Sequence, residues 1–264
     1  MYWRSSRIKH QVKTATMVGA LLLCGLVTKA QAQSGTNPME IRFVTFNVNF
    51  SNSTAKIKAD IQATMSHADV MMFQEVKWVD VSTLMNSNWQ VYQVTNAGDA
   101  RKGSAVAYRK ARVSQLLNTG IFLGVAKEPG MDLLDRYINW MDIRLTNNQV
   151  IRAIGLHMPP QRYVELQTPM AQNLANFVNA SPHPCIAGGD WNHTVNNDPR
   201  KIKNKTGLEP NGKGIDGFYY NPTVMTVTSI TKLSGLNVNS DHDPVQMITQ
   251  VYNLSTSVND WALY

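Results

Sequence analysis

Four short polar motifs stand in one order along the chain, each at or just after the end of an apolar, β-like run. They are Phe46-Asn47-Val48, Phe73-Gln74-Glu75, Gly189-Asp190-Trp191-Asn192 and Ser240-Asp241-His242-Asp243-Pro244. Strand ends are where a rigid sheet can aim short side chains into one cleft. A set of Asn, Glu, Asp, Asn, Asp and His offers hard oxygen ligands for a divalent cation and an imidazole for proton transfer. Those groups suit metal-assisted cleavage of a phosphoester. That reaction needs the phosphoryl oxygens neutralised, a water activated in line and the leaving oxygen helped to depart.

Taken singly, each residue has a plain reading beside the chemical one. Glu75 closes the apolar run Val70-Met71-Met72-Phe73-Gln74; it is either a surface carboxylate or the principal cation ligand, since an unpaired buried carboxylate is costly. Asp190 and Asn192 are two apart, so on extended chain they share a side. One can ligate or orient water while the other bonds phosphate, or the pair is a Gly-Asp turn. Asp241-His242 precedes Pro244 at a strand entry, where Asp can hold metal and imidazole can act as base; the alternative is a polar turn. Asp216 could fix the tautomer of His242. His157, ending Ile151-Arg152-Ala153-Ile154-Gly155-Leu156, is a second imidazole, and the two together read as an acid and base pair.

The elements that must position these groups follow from periodicity. Strands are expected over 41–47, 69–74, 89–94, 104–108, 113–117, 215–220, 224–231 and 245–251, with a short central one over 184–188. Residues 137–145 and 150–156 form a hairpin about Asn147-Asn148. A helix over 53–67 carries Ile57, Ile61 and Met65 at helical spacing with Ser53 or Thr54 as cap. A second, over 164–178, is interrupted near Pro169. Interleaved helices, strands and hairpins disfavour a purely parallel sheet and fit two packed mixed sheets with helices outside.

The amino terminus reads as a secretory signal: Arg4, Arg7, Lys9 and Lys13, then the apolar run 15–28, then Ala30-Gln31-Ala32 as a cleavage site. The expected division is 1–32 signal peptide, 33–39 loose leader and 40–264 a single catalytic domain, secreted or periplasmic. Five of the 25 basic residues and none of the 18 acids lie in the signal, which leaves 20 against 18, or +2. Global charge therefore says little about a polyanionic partner. Arg200, Lys201, Lys203, Lys205 and Lys213 are either a solvated basic loop or a phosphate-gripping rim. Cys185 alone remains beyond the signal, which excludes an intrachain disulfide and reads as a buried inert thiol.

The ordered set Asn47, Glu75, His157, Asp190-x-Asn192, Asp216 and Asp241-His242 resembles the endonuclease/exonuclease/phosphatase superfamily over nearly the whole chain beyond the signal. Leu156-His157 followed by Pro159 is more similar to its deoxyribonuclease I and distending-toxin nuclease branch than to the abasic-site endonucleases. Arg136 resembles a phosphate-contacting arginine of that branch. The resemblance implies a four-layer α/β/β/α sandwich of two mixed β-sheets flanked by helices. It implies Mg²⁺ (Mn²⁺ or Ca²⁺ in its place) held by Glu75 with Asn47 and Asp241, His242 as base backed by Asp216, and His157 protonating the leaving oxygen. Asp190 and Asn192 would hold phosphate or water, and Arg136 and Asn192 the substrate phosphate. No acidic partner for His157 is evident; Lys102-Gly103 stands where one would be sought.

The expected activity is a Mg²⁺-dependent endonuclease hydrolysing DNA as a monomeric catalytic domain, with toxin-delivery partner subunits unknown. The alternative is a phospholipid or phosphoinositide phosphodiesterase or phosphatase taking a lipid headgroup, for which the run Phe218-Tyr219-Tyr220 offers an aromatic surface if it is not core. A binding module without catalysis is a third reading.

Overall fold

A computed structural model of the chain describes residues 37–94 and 103–254. The expected signal peptide and residues 33–36 of the leader lie outside the described residues, as do Lys102 and the loop about Gly98. The elements run β1 (Met39–Asn47), α1 (Thr54–Met65), β2 (Val70–Gln74), α2 (Val81–Leu84), β3 (Trp89–Tyr92), β4 (Ser104–Arg109), β5 (Val113–Val125), β6 (Arg136–Leu145), β7 (Val150–His157), α3 (Val164–Asn179), β8 (Cys185–Asp190), α4 (Ile202–Thr206), β9 (Glu209–Lys213), β10 (Asp216–Tyr220), β11 (Met225–Lys232) and β12 (Val245–Val251).

The strands form two six-stranded mixed sheets, ordered β11-β12-β1-β2-β4-β3 and β5-β6-β7-β8-β10-β9. Side chains alternate across a strand, and the alternation here decides the layers. Ile41 and Phe43, Val70 and Met72 from the first sheet meet Ile151 and Ala153, Ile186 and Phe218 from the second in a dry core between them. The other parity faces outward. Val44, Phe46, Met71 and Phe73 pack with Ile57, Ile61 and Met65 of α1 and with α2. Ile154, Leu156 and Ala187 pack with Leu166, Met170 and Leu174 of α3. The result is the expected α/β/β/α sandwich. Ser53 caps α1 by accepting from the Lys56 N–H.

Three local expectations change. α3 runs unbroken through Pro169. The bond that proline forgoes is to the Glu165 carbonyl, in an exposed first turn where water can take it. β5 extends well beyond Leu117, and its register shifts break the alternation that would reveal it. The basic segment after Asn192 is not a loop: it holds α4 and β9. Phe218 and Tyr219 are fully buried core residues, which removes the aromatic surface that a lipid reading drew on. Cys185 is a buried free thiol.

Candidate active site

The inward parity of each strand continues past the end of the apolar core and carries the polar motifs into one cleft. Asn47 follows Phe43 and Thr45 on the inner side of β1; His157 follows Ile151 and Ala153 on β7; Asp190 follows Ile186 on β8. Register places them in a row. His157 pairs with Asp190 across β7 and β8, and Asp190 with Asp216 across β8 and β10. Asn47 pairs with Gln74, so Glu75 lies one residue beyond the end of β2. β8 approaches β7 closely just before Asp190, because at Gly189 a β-carbon would collide with the Leu156 carbonyl.

Asp190 is the hub. Its Oδ2 lies 3.1 Å from Asn47 Nδ2, 3.3 Å from His157 Nε2 and 3.8 Å from His242 Nε2, and its Oδ1 accepts the Asn192 N–H at 2.9 Å. Burial alone would raise this carboxyl; His157, His242 and the Asn192 N–H outweigh it and hold the group down at about 2. His242 Nδ1 lies 2.9 Å from Asp216 Oδ2. That bond, against burial and with help from Asp190 and Asp241, lifts the imidazole to about 9. Asp216 is itself raised, chiefly by burial and then by Asp190. Without a cation nearby, His242 is thus protonated at neutral pH, its Nδ1–H on Asp216 and its Nε2 edge toward Asp190.

Arg136 fixes the other imidazole. Its Nη1 lies 3.4 Å from His157 Nδ1, and a guanidinium can only donate. In the neutral ring His157 Nδ1 is then the acceptor, which leaves the Nε2–H toward Asp190. The carboxylate that the sequence did not supply for His157 is Asp190, with Glu75 Oε1 4.0 Å from its Nδ1. Arg136 Nε is buried without a partner at the cleft wall, a donor left for an incoming anion.

Glu75 is held in the left-handed region at φ 62°, a strained backbone for a residue with a β-carbon. Its Oε2 accepts the Phe50 N–H at 3.0 Å, and the residue lines the cleft. Asn192 is also left-handed, φ 51°, and donates from Nδ2 to the Met158 carbonyl at 2.8 Å. Asn47 Oδ1 accepts the Asn49 N–H. Asp241 behaves differently from the others. It is exposed, its Oδ1 accepts from Asn49 Nδ2 at 2.9 Å, and it does not line the cleft. Asp190, Asp216 and His242 present ligand atoms within 4.8 Å of one another. The Asp216–His242 bond already occupies two of those three, so this cluster is better suited to moving a proton. Glu75, which lines the same cleft as Asn47 and Asp190, has the donor chemistry to hold a hard cation.

The cleft holds about 530 Å³. Among the described residues its cationic lining is Lys77, Lys127, Arg136 and Arg162 rather than the 200–213 segment. In that segment Arg200 bonds Gln167 and Lys203 pairs with Glu209. Sequence reasoning also missed Asp60. This carboxylate is buried on α1 and accepts from Asn239 N, Asn239 Nδ2 and Ser240 N, tethering the loop that carries His242. Ser240 Oγ then bonds the Asn47 carbonyl and accepts the His242 N–H. The one visible signal was an acid beside the apolar stripe of α1. His193, next to Asn192, is buried and pushed down to about 4 chiefly by burial, so it stays neutral.

Residues 44–242 match the family model described as Endonuclease/Exonuclease/phosphatase family. Among solved structures, an endonuclease/exonuclease/phosphatase family protein from Bacteroides thetaiotaomicron is similar at 16% identity and TM-score 0.65, over 83% of this chain and 100% of that one. A mannosyl-6-phosphatase from the same organism is similar at 15% identity and TM-score 0.61, over 79% and 99%. So is a humanized TDP2 from D. rerio, at 15% identity and TM-score 0.60, over 80% and 98%. No curated protein sequence matches the chain.

Proposed function

Because this chain belongs to the endonuclease/exonuclease/phosphatase family and is a hydrolase of phosphoester bonds, we propose that it is a secreted, Mg²⁺-dependent endonuclease acting on DNA, of the deoxyribonuclease I-like branch. One observation carries the reading. A single carboxylate oxygen of Asp190 sits between the Nε2 atoms of His157 and His242, with Asn47 beside it and Arg136 Nε unpaired at the wall. Two imidazoles on either side of one anion are what in-line displacement at a diester needs: one group to take the proton of water, another to supply the leaving oxygen.

In this reading His242 Nε2 removes the proton of a water lying against Asp190, and Asp216 steadies the resulting imidazolium. The water oxygen bonds to phosphorus as the bond to the leaving oxygen breaks, and His157, reacting as the imidazolium, gives its Nε2 proton to that oxygen and is left neutral. Arg136, Asn47 and Asn192 hold the nonbridging oxygens. Glu75 with Asn47 would hold the cation, which supplies charge neutralisation at the phosphate and discourages the protonated form of His242. Asp241, first assigned to the metal, serves here to hold Asn49 and the loop after β1. TDP2 from D. rerio has been crystallised with a single-strand DNA product, which supports a nucleic-acid substrate for a fold of this kind. The amino-terminal pattern supports export through a cleaved signal peptide.

Supercoiled plasmid incubated with Mg²⁺, with and without chelator, tests the activity. Nicked circles that vanish with chelator are expected, and His242→Ala should lower kcat by roughly 10²–10⁴-fold. Intact plasmid beside hydrolysed phosphatidylinositol would overturn the reading in favour of a lipid headgroup.

A further inference from the structure

The mouth of the cleft carries chemistry that hydrolysis does not use. Phe50 and Trp78, on the turns after β1 and β2, leave 44% and 59% of their surface in water. Between them lies the Lys77 ammonium, 4.4 Å from the Phe50 ring centroid and 4.6 Å from that of Trp78. Phe50 and Lys77 line the same cleft as Glu75.

The turn bearing these rings is held firmly. Gln93 donates to the Val76 and Val79 carbonyls at 3.0 and 3.1 Å and accepts the Val81 N–H at 2.9 Å. The Phe50 N–H is bonded to the Glu75 carboxylate. The backbone is fixed while each ring, with Lys77 against one face, keeps much of its remaining surface exposed. Exposed rings at a rigid cleft edge are ready to bury against a flat partner.

We propose that Phe50, Lys77 and Trp78 form a stacking platform for an unpaired nucleobase next to the scissile phosphate, so that single-stranded nucleic acid is the preferred substrate. The inference rests on the nuclease reading above. Every base has a π face, so stacking on aromatic residues is sequence-tolerant, and a cation between the rings strengthens it while attracting the backbone. In a duplex those faces are hidden, and reaching them requires fraying or flipping. A membrane surface is the other class of partner for exposed Trp and Phe. It fits less well, because the other large exposed apolar residues, Leu116, Leu117 and Leu123 on β5 with Val164, Ile215 and Leu254, stand on separate segments, and the patch itself carries the Lys77 charge.

The test compares one oligonucleotide sequence, single-stranded and as a duplex, cleaved by the wild type, Trp78→Ala and Trp78→Phe. Binding of fluorescein-labelled oligothymidylate is followed by anisotropy in chelator. The wild type should favour the single strand. Trp78→Ala should raise its KM and anisotropy midpoint for the single strand about tenfold, with a smaller effect on duplex, and Trp78→Phe should recover most of the loss. Equal losses on both substrates, or none, would overturn the platform while leaving the nuclease reading standing. A wild type that cleaves neither substrate removes both. Sedimentation with phosphatidylcholine–phosphatidylglycerol vesicles that is lost in Trp78→Ala, with single-strand cleavage intact, would assign the rings to a membrane instead.

Discussion

Asp216→Asn isolates the electrostatic core of the site. The substitution keeps the shape of the side chain and removes its charge from a point 2.9 Å from His242 Nδ1. That bond is the largest cause of the rise of His242 from 6.5 to about 9, and burial opposes it. A rise of that size corresponds to about 3 kcal/mol, and to about 1–2 kcal/mol once water reaching a half-buried ring is allowed for. A raised imidazole stabilises the fold below its unfolded value of 6.5 and gives that up as pH climbs through about 9. The wild type in chelator should therefore lose about 1–2 kcal/mol in urea unfolding between about pH 6 and pH 10, and Asp216→Asn should not. The direct measurement is the His242 Cε1–H titration in ¹³C-histidine-labelled protein. Its midpoint should fall from about 9 in the wild type to the ordinary value of 6.5 or lower in the variant. A midpoint still near 9 in Asp216→Asn would show that Asp190 and Asp241, not Asp216, hold the proton, and the assignment of a paired base would be wrong.

Two further variants probe the cation and the loop. Glu75→Gln keeps the fold and should raise the Mg²⁺ concentration for half-maximal activity by at least about tenfold; an unchanged metal titration would remove Glu75 from that role. Asp60→Ala strands the Asn239 and Ser240 N–H groups, at an expected cost of about 2–4 kcal/mol in urea unfolding. It should also lower kcat at temperatures where the variant is folded, because the loop carrying His242 loses its anchor. A destabilised variant with full kcat would mean that Ser240 and Asn47 position the imidazole unaided.

The strand ends were legible because apolar runs stop where polar motifs start, and the sandwich followed from interleaved helices and hairpins. The partner of His157 was not legible. It comes from the register that sets His157 opposite Asp190, a relation between adjacent strands that spacing along the chain does not encode. β9 was hidden for another reason. Glu209-Pro210-Asn211-Gly212-Lys213 has no apolar alternation, and it pairs as an edge strand because β10 presents a free backbone and an edge tolerates proline. The cleft's cations were missed because they come singly: Lys77, Lys127, Arg136 and Arg162 lie on separate segments. In the conspicuous run at 200–205, Arg200 instead bonds Gln167 and Lys203 pairs with Glu209.

The reacting groups are divided between the two sheets. Asn47, Glu75 and His242 belong to the edge built on β1, β2 and β12, and His157, Asp190 and Asp216 to the edge built on β7, β8 and β10. Neither half holds a working set. The imidazole at position 242 lies far along the chain from Asn47 and Glu75, and that ring has nowhere to seat until the halves have docked. Assembly of the reacting groups is thereby tied to the docking of one sheet on the other.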